Sequence, residues 1–545
     1  MVITLTPNQK NTTPKVIEAL DKLKHSGGGE LYFEKGEYHF FKYGAIEQFV
    51  AVSNNRSGIK KIIFPIIGSN NITINGNGSV FIFHDITSPF YVYKSKNVII
   101  KDITFDRAFS PIVNMSVQDK SDKGFKLLID KKQSPYYVKN GNLVFEREWG
   151  ERSTAIKKLD LLMKGQHLVQ YLFAGETLDS TSNLPASFML TDAEEVKDGV
   201  YFHYRENTQS KCVYEEGTEL YCLADGSDRE SDVILLSDSD DIKISNITIR
   251  RGLSMGVIGQ LCSNIEIDSL KTDSDFYQDS TTLTADCMHF VNCSGFIDIH
   301  DCLIENISDD VINIHGVYTS LKEKHNNKLI VELKHRSQKF FNPYKVGDIL
   351  DIINPLTYEV VSNFVVRKSE IISEDGSLVE ICGDYTNTKS DIDCGFLIEN
   401  SKRMPNVNIY NNKFNRFPCM RVSGGGKIVI NENQISHCAC ALVAVDLAQF
   451  WMESGRIKDL VFTKNNLQDC YEGSFINIGI SGMNDSDAFK VHNKIEILEN
   501  TFSGIKHKAI KAGGIKNLII KNNLFNTEKE DIVLVDDKII SKELC

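Results

Sequence analysis

Val407 Asn408 Ile409 Tyr410 Asn411 Asn412 Lys413 Phe414 alternates apolar and polar residues, then sets an asparagine five residues and an apolar residue seven residues after its first member. The same pattern opens at Ile428 Val429 Ile430, Leu460 Val461 Phe462, Ile495 Glu496 Ile497 and Leu518 Ile519 Ile520. Its asparagines are Asn412, Asn433, Asn465, Asn500 and Asn523, and its apolar partners Phe414, Ile435, Leu467, Phe502 and Phe525. Alternation with a period of two marks strands with one apolar face. Start-to-start spacings of 21, 32, 35 and 23 residues describe coils whose strands are fixed in length and whose turns vary, as in a solenoid. Asparagine suits a left-handed turn and bonds to its counterpart one coil away, so the register predicts a stacked ladder in a parallel β-helix. Related units at Ile72, Val98, Ile242, Ile265 and Ile297 carry the coils towards the N-terminus.

Thr13 to His25 places Val16, Ile17, Leu20 and Leu23 at helical spacing before Gly27 Gly28 Gly29. Such a helix covers the apolar end that the first coil would otherwise expose. Two stretches lack the pattern. They separate the units at Val98 and Ile242 by 144 residues and those at Ile297 and Val407 by 110, and they read as small β-rich, barrel-like insertions. The expected organisation is a capping helix and first coils over 1–114, an insertion over 115–232, coils over 233–317, a second insertion over 318–403 and final coils over 404–545. Insertions from one side of a solenoid commonly wall its binding site.

The 545-residue chain carries 61 Lys and Arg against 73 Asp and Glu, a net charge of −12. That balance disfavours a nucleic-acid partner, whose phosphates call for clustered cations. The 13 cysteines show no zinc spacing and read as small buried hydrophobes. Met1 to Pro7 has no basic segment leading into an apolar run, and no stretch is long enough to span a bilayer. The expected location is therefore cytoplasmic, or periplasmic or extracellular after removal of a leader. No phosphate-cradling glycine loop is present, and neither an organic cofactor nor a metal is expected. Oligomeric state has no sequence signal.

Chemistry concentrates in Ala285 Asp286 Cys287 Met288 His289 Phe290 and in Asp309 Asp310 Val311 Ile312 Asn313 Ile314 His315 Gly316. Asp286 lies 24 residues before Asp310, about one coil, so the two segments should stack. Met288, Phe290, Ile312 and Ile314 then share the core phase. Cys287, His289, Asp309, Val311, Asn313 and His315 take the outward phase, with Asp286 and Asp310 at the strand entrance. Later coils extend the row through Arg421, Asp446, Asn477 and Lys511. Coils about 4.8 Å apart force the three carboxyls to interact, which raises at least one pKa and leaves one acid beside one base. Glycoside hydrolysis requires that pair. An Asp-Asp dipeptide alone is usually a solvated turn, and a calcium ion is the rival occupant of clustered carboxylates. The flanking His and Arg favour the sugar chemistry. Trp451, one of two tryptophans, lies in a turn where its ring either stacks on a sugar or packs beneath a loop.

These two motifs, with Phe450 Trp451 Met452 Glu453 Ser454 Gly455 and the coil pattern, resemble glycoside hydrolase family 110, bacterial α-1,3-galactosidases that remove terminal galactose from the blood-group B determinant. The resemblance covers nearly the whole chain. It implies a right-handed parallel β-helix with β-rich insertions, an inverting exo-galactosidase without a metal, and galactose-terminated oligosaccharides as substrates. It assigns Asp309 as general acid and Asp286 and Asp310 to water; His289, Asn313, His315, Arg421, Asp446, Trp451 and Glu453 are the expected substrate-binding residues. Met452 departs from the tyrosine expected in that motif. The alternatives are a polygalacturonase-like β-helix hydrolase, which would want a more basic groove, a calcium-dependent lyase, and a carbohydrate-binding β-helix without turnover.

Overall fold

A computed structural model of the chain describes residues 1–7, 10–146, 152–153, 162–163, 190–204, 215–223, 229–277, 281–446, 451–470, 473–480, 490–536 and 538–540. Strands stack in parallel coils. One ladder runs from Asn70–Phe83 through Lys96–Arg107, Asp240–Ile249, Ser263–Thr272, Ser294–His300, Asn406–Tyr410, Lys427–Asn431, Asp459–Thr463 and His492–Leu498 to Ile515–Lys521. A second runs from Gly58–Ile67 through Ser88–Tyr93, Ile234–Ser237, Val257–Gln260, Met288–Val291 and Ile312–His325 and on to Val533–Val535. The fold is a parallel β-helix, and one continuous apolar core fills it from Val16 to Val533.

The asparagine ladder forms. Asn412, Asn433, Asn465, Asn500 and Asn523 are linked Nδ2 to Oδ1 at 3.0, 2.9, 3.1 and 3.0 Å. One feature differs from expectation: the left-handed backbone falls one residue earlier, at Asn411, Glu432, Lys464, Glu499 and Asn522. That residue makes the turn and faces out, while the asparagine points inward to bond its neighbours.

The helix Thr13–His25 buries Val16, Ala19, Leu20 and Leu23 in the core over the first coils. The coils on either side of each long interruption pair directly, Val98 with Ile242 and Ile297 with Val407, so both interruptions leave the stack without breaking it. The first contains a six-stranded antiparallel sheet with its own core, including Val113, Phe125, Leu127 and Phe202. In the second, Ile312–His325, Lys328–Glu332, Leu378–Thr386, Val360–Ile371, Ile349–Ile353 and Leu397–Asn400 pair in that cyclic order and close an antiparallel barrel. The strand Ile312–His325 begins in a coil and ends in the barrel. Of the ten described free cysteines, eight are buried, as expected of small apolar fillers. No described helix is long and apolar enough to cross a membrane.

Candidate active site

Met288–Val291, Ile312–His325 and Lys413–Val422 lie side by side, pairing His289 with Asn313 and Asn313 with Arg421. Met288, Phe290, Ile312, Ile314, Met420 and Val422 fill the core, so strand alternation turns His289, Asn313 and Arg421 to the other face. Cys287 and Val311 do not join them. Both are buried in the core cluster, because they precede their strands and alternation has not yet begun. That local turn aims the preceding Asp286 and Asp310 away from the core. Beyond Arg421 the row passes through Val443, Asn477 and Lys511. Asp446 is not in it: Asp446 pairs with Ile480, after a register shift between Cys419 and Arg421, and its side chain lies outside the described residues.

Asp286, Asp309 and Asp310 converge. The Asp286 and Asp309 carboxyls act on each other electrostatically, and Asp309 Oδ1 accepts the Asp310 backbone N–H at 3.0 Å. Arg229 Nη2 donates to Asp309 Oδ2 at 2.7 Å, and Arg421 Nε lies 3.2 Å from Asp310 Oδ2. His289 Nδ1 meets Asp286 Oδ2 at 2.6 Å, and its Nε2 meets His315 Nε2 at 3.0 Å. Glu453, on a short strand paired antiparallel to Gly316–Val317, sits 3.6 Å from His315 Nε2 and accepts from Asn54 Nδ2 at 2.8 Å. A side chain at Gly316 would collide with Ser454 Oγ, so glycine is what lets the Glu453 strand approach. The Asn313 Oδ1 and Asp310 Oδ1 atoms are buried without a hydrogen-bond partner, as acceptors reserved for a ligand would be.

The curated protein named alpha-1,3-galactosidase B of Bacteroides thetaiotaomicron is 25% identical over 538 residues, covering 94% of this chain and 83% of that protein. Alpha-1,3-galactosidase A of Shewanella woodyi is 25% identical over 96% of this chain and 85% of its own length. Alpha-1,3-galactosidase A of Bacteroides fragilis is 25% identical over 94% and 84%. The chain is similar to these α-1,3-galactosidases along nearly its whole length. No family model matches it. Among solved structures it is similar to a Yersinia enterocolitica family 28 exopolygalacturonase, at 10% identity and a TM-score of 0.45 over 98% of this chain and 77% of the other.

Burial pushes Asp286 up to about 6, against the pull of Arg229. Burial and then the Asp286 charge push Asp309 up to about 7, partly offset by Arg229. Burial also raises Asp310 well above the carboxylate range despite Arg421. His289 is driven down to about 4 by burial, and His315 moves the same way. The short His289–Asp286 contact is therefore a hydrogen bond whose neutral form burial favours, rather than a simple ion pair. Glu453 is pushed up by burial, but His315, Arg421 and His289 outweigh that and hold it below its usual value.

Arg229 and Asn54 were not among the expected site residues. Arg229 lies at the end of the first interruption, just before the coil strand Ile234–Ser237. Asn54, in a left-handed conformation, lies in the loop joining Ile46–Val50 to Gly58–Ile67. Neither sits in a periodic pattern, so neither leaves a sequence signal. Trp451 is half-buried, its ring 4.5 Å from that of His335 and its carbonyl accepting from Gln338 Nε2 at 3.0 Å. Met452, the departure from the family motif, is buried in an apolar cluster with Tyr318 and Tyr358.

Proposed function

We propose that the chain is an exo-acting, inverting glycoside hydrolase that releases terminal α-1,3-linked galactose from glycans, blood-group B-like or linear. The observation that carries this reading is the trio of buried carboxyls, flanked by Arg229 and Arg421 and set on the same coils as His289 and Asn313. Similarity to curated α-1,3-galactosidases along nearly the whole chain supports the bond specificity.

In the proposed reaction Asp309, held near 7, gives its proton to the glycosidic oxygen as the bond to galactose breaks. Asp286 and Asp310 orient a water on the opposite face, and one of them takes its proton as the C–O bond forms. Arg229 and Arg421 offset the charge of the carboxylates as they ionise. Asn313, Arg421, Trp451 and Glu453 are assigned to the galactose and its aglycone, and His289 and His315 to positioning Asp286. Cation chemistry at the trio is disfavoured on electrostatic grounds, since two guanidinium groups already face the carboxylates.

A proton NMR time course on Gal-α-1,3-Gal tests the reading. Free galactose appearing first as the β anomer is the expected result. The α anomer appearing first overturns inversion, and no release from this or any other α-galactoside overturns the assignment.

A further inference from the structure

His315 Nδ1 lies 2.6 Å from the Gly316 carbonyl oxygen. A carbonyl only accepts, so that nitrogen carries a proton. If the His315 ring is neutral, its Nε2 is bare. The 3.0 Å contact with His289 Nε2 then needs the proton on His289 Nε2. A neutral His289 with that tautomer has a bare Nδ1, and this nitrogen faces Asp286 Oδ2 at 2.6 Å. Two lone pairs at that distance repel, so the chain calls for a third proton. With two protons one of its contacts is always empty; with three, every contact is a hydrogen bond.

From this geometry we propose that Asp286, His289 and His315 form a three-proton relay in which Asp286 ionises by passing its proton to the histidines instead of to solvent. The proposal rests on the reading of Asp286 as a group that handles water. The transfer balances. The Asp286 O–H bond breaks as an N–H bond forms at His289 Nδ1, and the His289 Nε2–H bond breaks as one forms at His315 Nε2. No atom is gained or lost, and one positive charge moves from the carboxyl to the His315 ring. There it lies 3.6 Å from the Glu453 carboxylate, the counter-charge that makes the far end of the relay habitable.

The ionisable surroundings are compatible with either end state. Arg229 favours ionised Asp286 while Glu453 opposes it, and Asp309, Asp310 and Arg421 lie on the same side of the relay. Glu453, Asp309 and Asp232 favour a charged His289 and Arg229 opposes it, while Glu453 and Asp286 favour a charged His315 and His289 opposes it. The cations stabilise ionised Asp286, and Glu453 stabilises charged His315, so the internal transfer is cheaper than either ionisation alone. His289 and His315 are on this account positioning and proton-storing residues, and they give the base its proton sink inside a water-poor site.

Long-range proton–nitrogen NMR of the histidine rings of the unmodified protein reads the tautomers directly. The expected result is His315 protonated at Nδ1 throughout, with His289 protonated at Nε2 at low pH and, once Asp286 ionises, at Nδ1 beside a doubly protonated His315. A neutral His315 protonated only at Nε2 overturns the relay. His315→Gln supplies the second readout: glutamine keeps a hydrogen bond to His289 but cannot carry a proton. The relay expects the acid limb of the kcat/KM profile on Gal-α-1,3-Gal to move up by about one pH unit or more. A profile unshifted from that of the unmodified protein would show a structural role and overturn the proposal. If no galactoside is hydrolysed, the galactosidase reading falls, while the ring-nitrogen signals still decide the relay.

Discussion

Arg229 Nη2 donates to Asp309 Oδ2 at 2.7 Å, so the proposed general acid is held by a residue that enters the coil straight from the first interruption. The guanidinium favours the ionised carboxyl, whereas burial and Asp286 favour the protonated one, and the latter pair prevails. Replacing Arg229 with Gln removes the opposing cation. The Asp309 proton should then persist to higher pH, moving the basic limb of kcat/KM upward by about one unit or more. The rate itself should drop about 10-fold to 100-fold as the carboxyl loses its fixed orientation. An unmoved basic limb would show that Asp309 is not the titrating acid.

In the unmodified protein that limb has a defined place. Asp309 acts in its protonated form and is raised to about 7. Activity should therefore be lost as pH rises through about 7, while ionisation of the water-activating carboxylate sets a separate acid limb. A kcat/KM profile on the disaccharide measures this, since it reports groups of the free enzyme.

Leaving-group ability separates the acid from the base. A 4-nitrophenyl α-galactoside departs without protonation, whereas a sugar leaving group needs the proton. Asp309→Asn should lose about 10³-fold or more on Gal-α-1,3-Gal and far less on the aryl galactoside. Asp310→Asn, by removing a carboxylate that handles water, should lose on both substrates alike. Equal losses by Asp309→Asn on the two substrates would move the acid role to another member of the trio.

The ladder yields a stability prediction. Asn465 Oδ1 accepts from the Asn433 backbone N–H and Nδ2, and its own Nδ2 donates to the Ile430 carbonyl and to Asn500. Asn465→Ala leaves several of these buried groups unsatisfied and should cost about 3 kcal/mol. Asn523 closes the ladder at a partly exposed position, where water replaces lost partners, so Asn523→Ala should cost about 1 kcal/mol or less. Denaturant titration of the two variants gives the comparison.

Much of this architecture is legible in single residues, because a coil repeats one strand phase and one inward asparagine. The His289, Asn313, Arg421 row followed from phase and from the 24-residue spacing of Asp286 and Asp310. The extension to Asp446 did not, since the shift after Cys419 changes the offset between neighbouring coils. Cys287 and Val311 misled for a related reason: alternation holds inside a strand and lapses in the turn before it. Arg229 and Asn54 lie 80 and 255 residues from Asp309 in sequence. Their positions depend on how an insertion and a hairpin loop close over the coils, which no local period encodes.

Arg421 extends the argument to the water side of the site. Its Nε lies 3.2 Å from Asp310 Oδ2, and its charge is the main influence opposing the effect of burial on that carboxyl. Arg421→Met removes the charge while keeping most of the stem, so Asp310 should bind its proton more tightly. A water-activating base must be ionised, hence the acid limb of kcat/KM should move up, and kcat at neutral pH should fall about 100-fold or more. Arg421→Lys restores a cation without the fork geometry, and should recover the position of the acid limb better than the rate. A lysine variant that recovers neither would mean that Arg421 acts by contacting galactose, with kcat/KM falling uniformly across the pH range. Profiles of the two variants on one substrate decide between the roles.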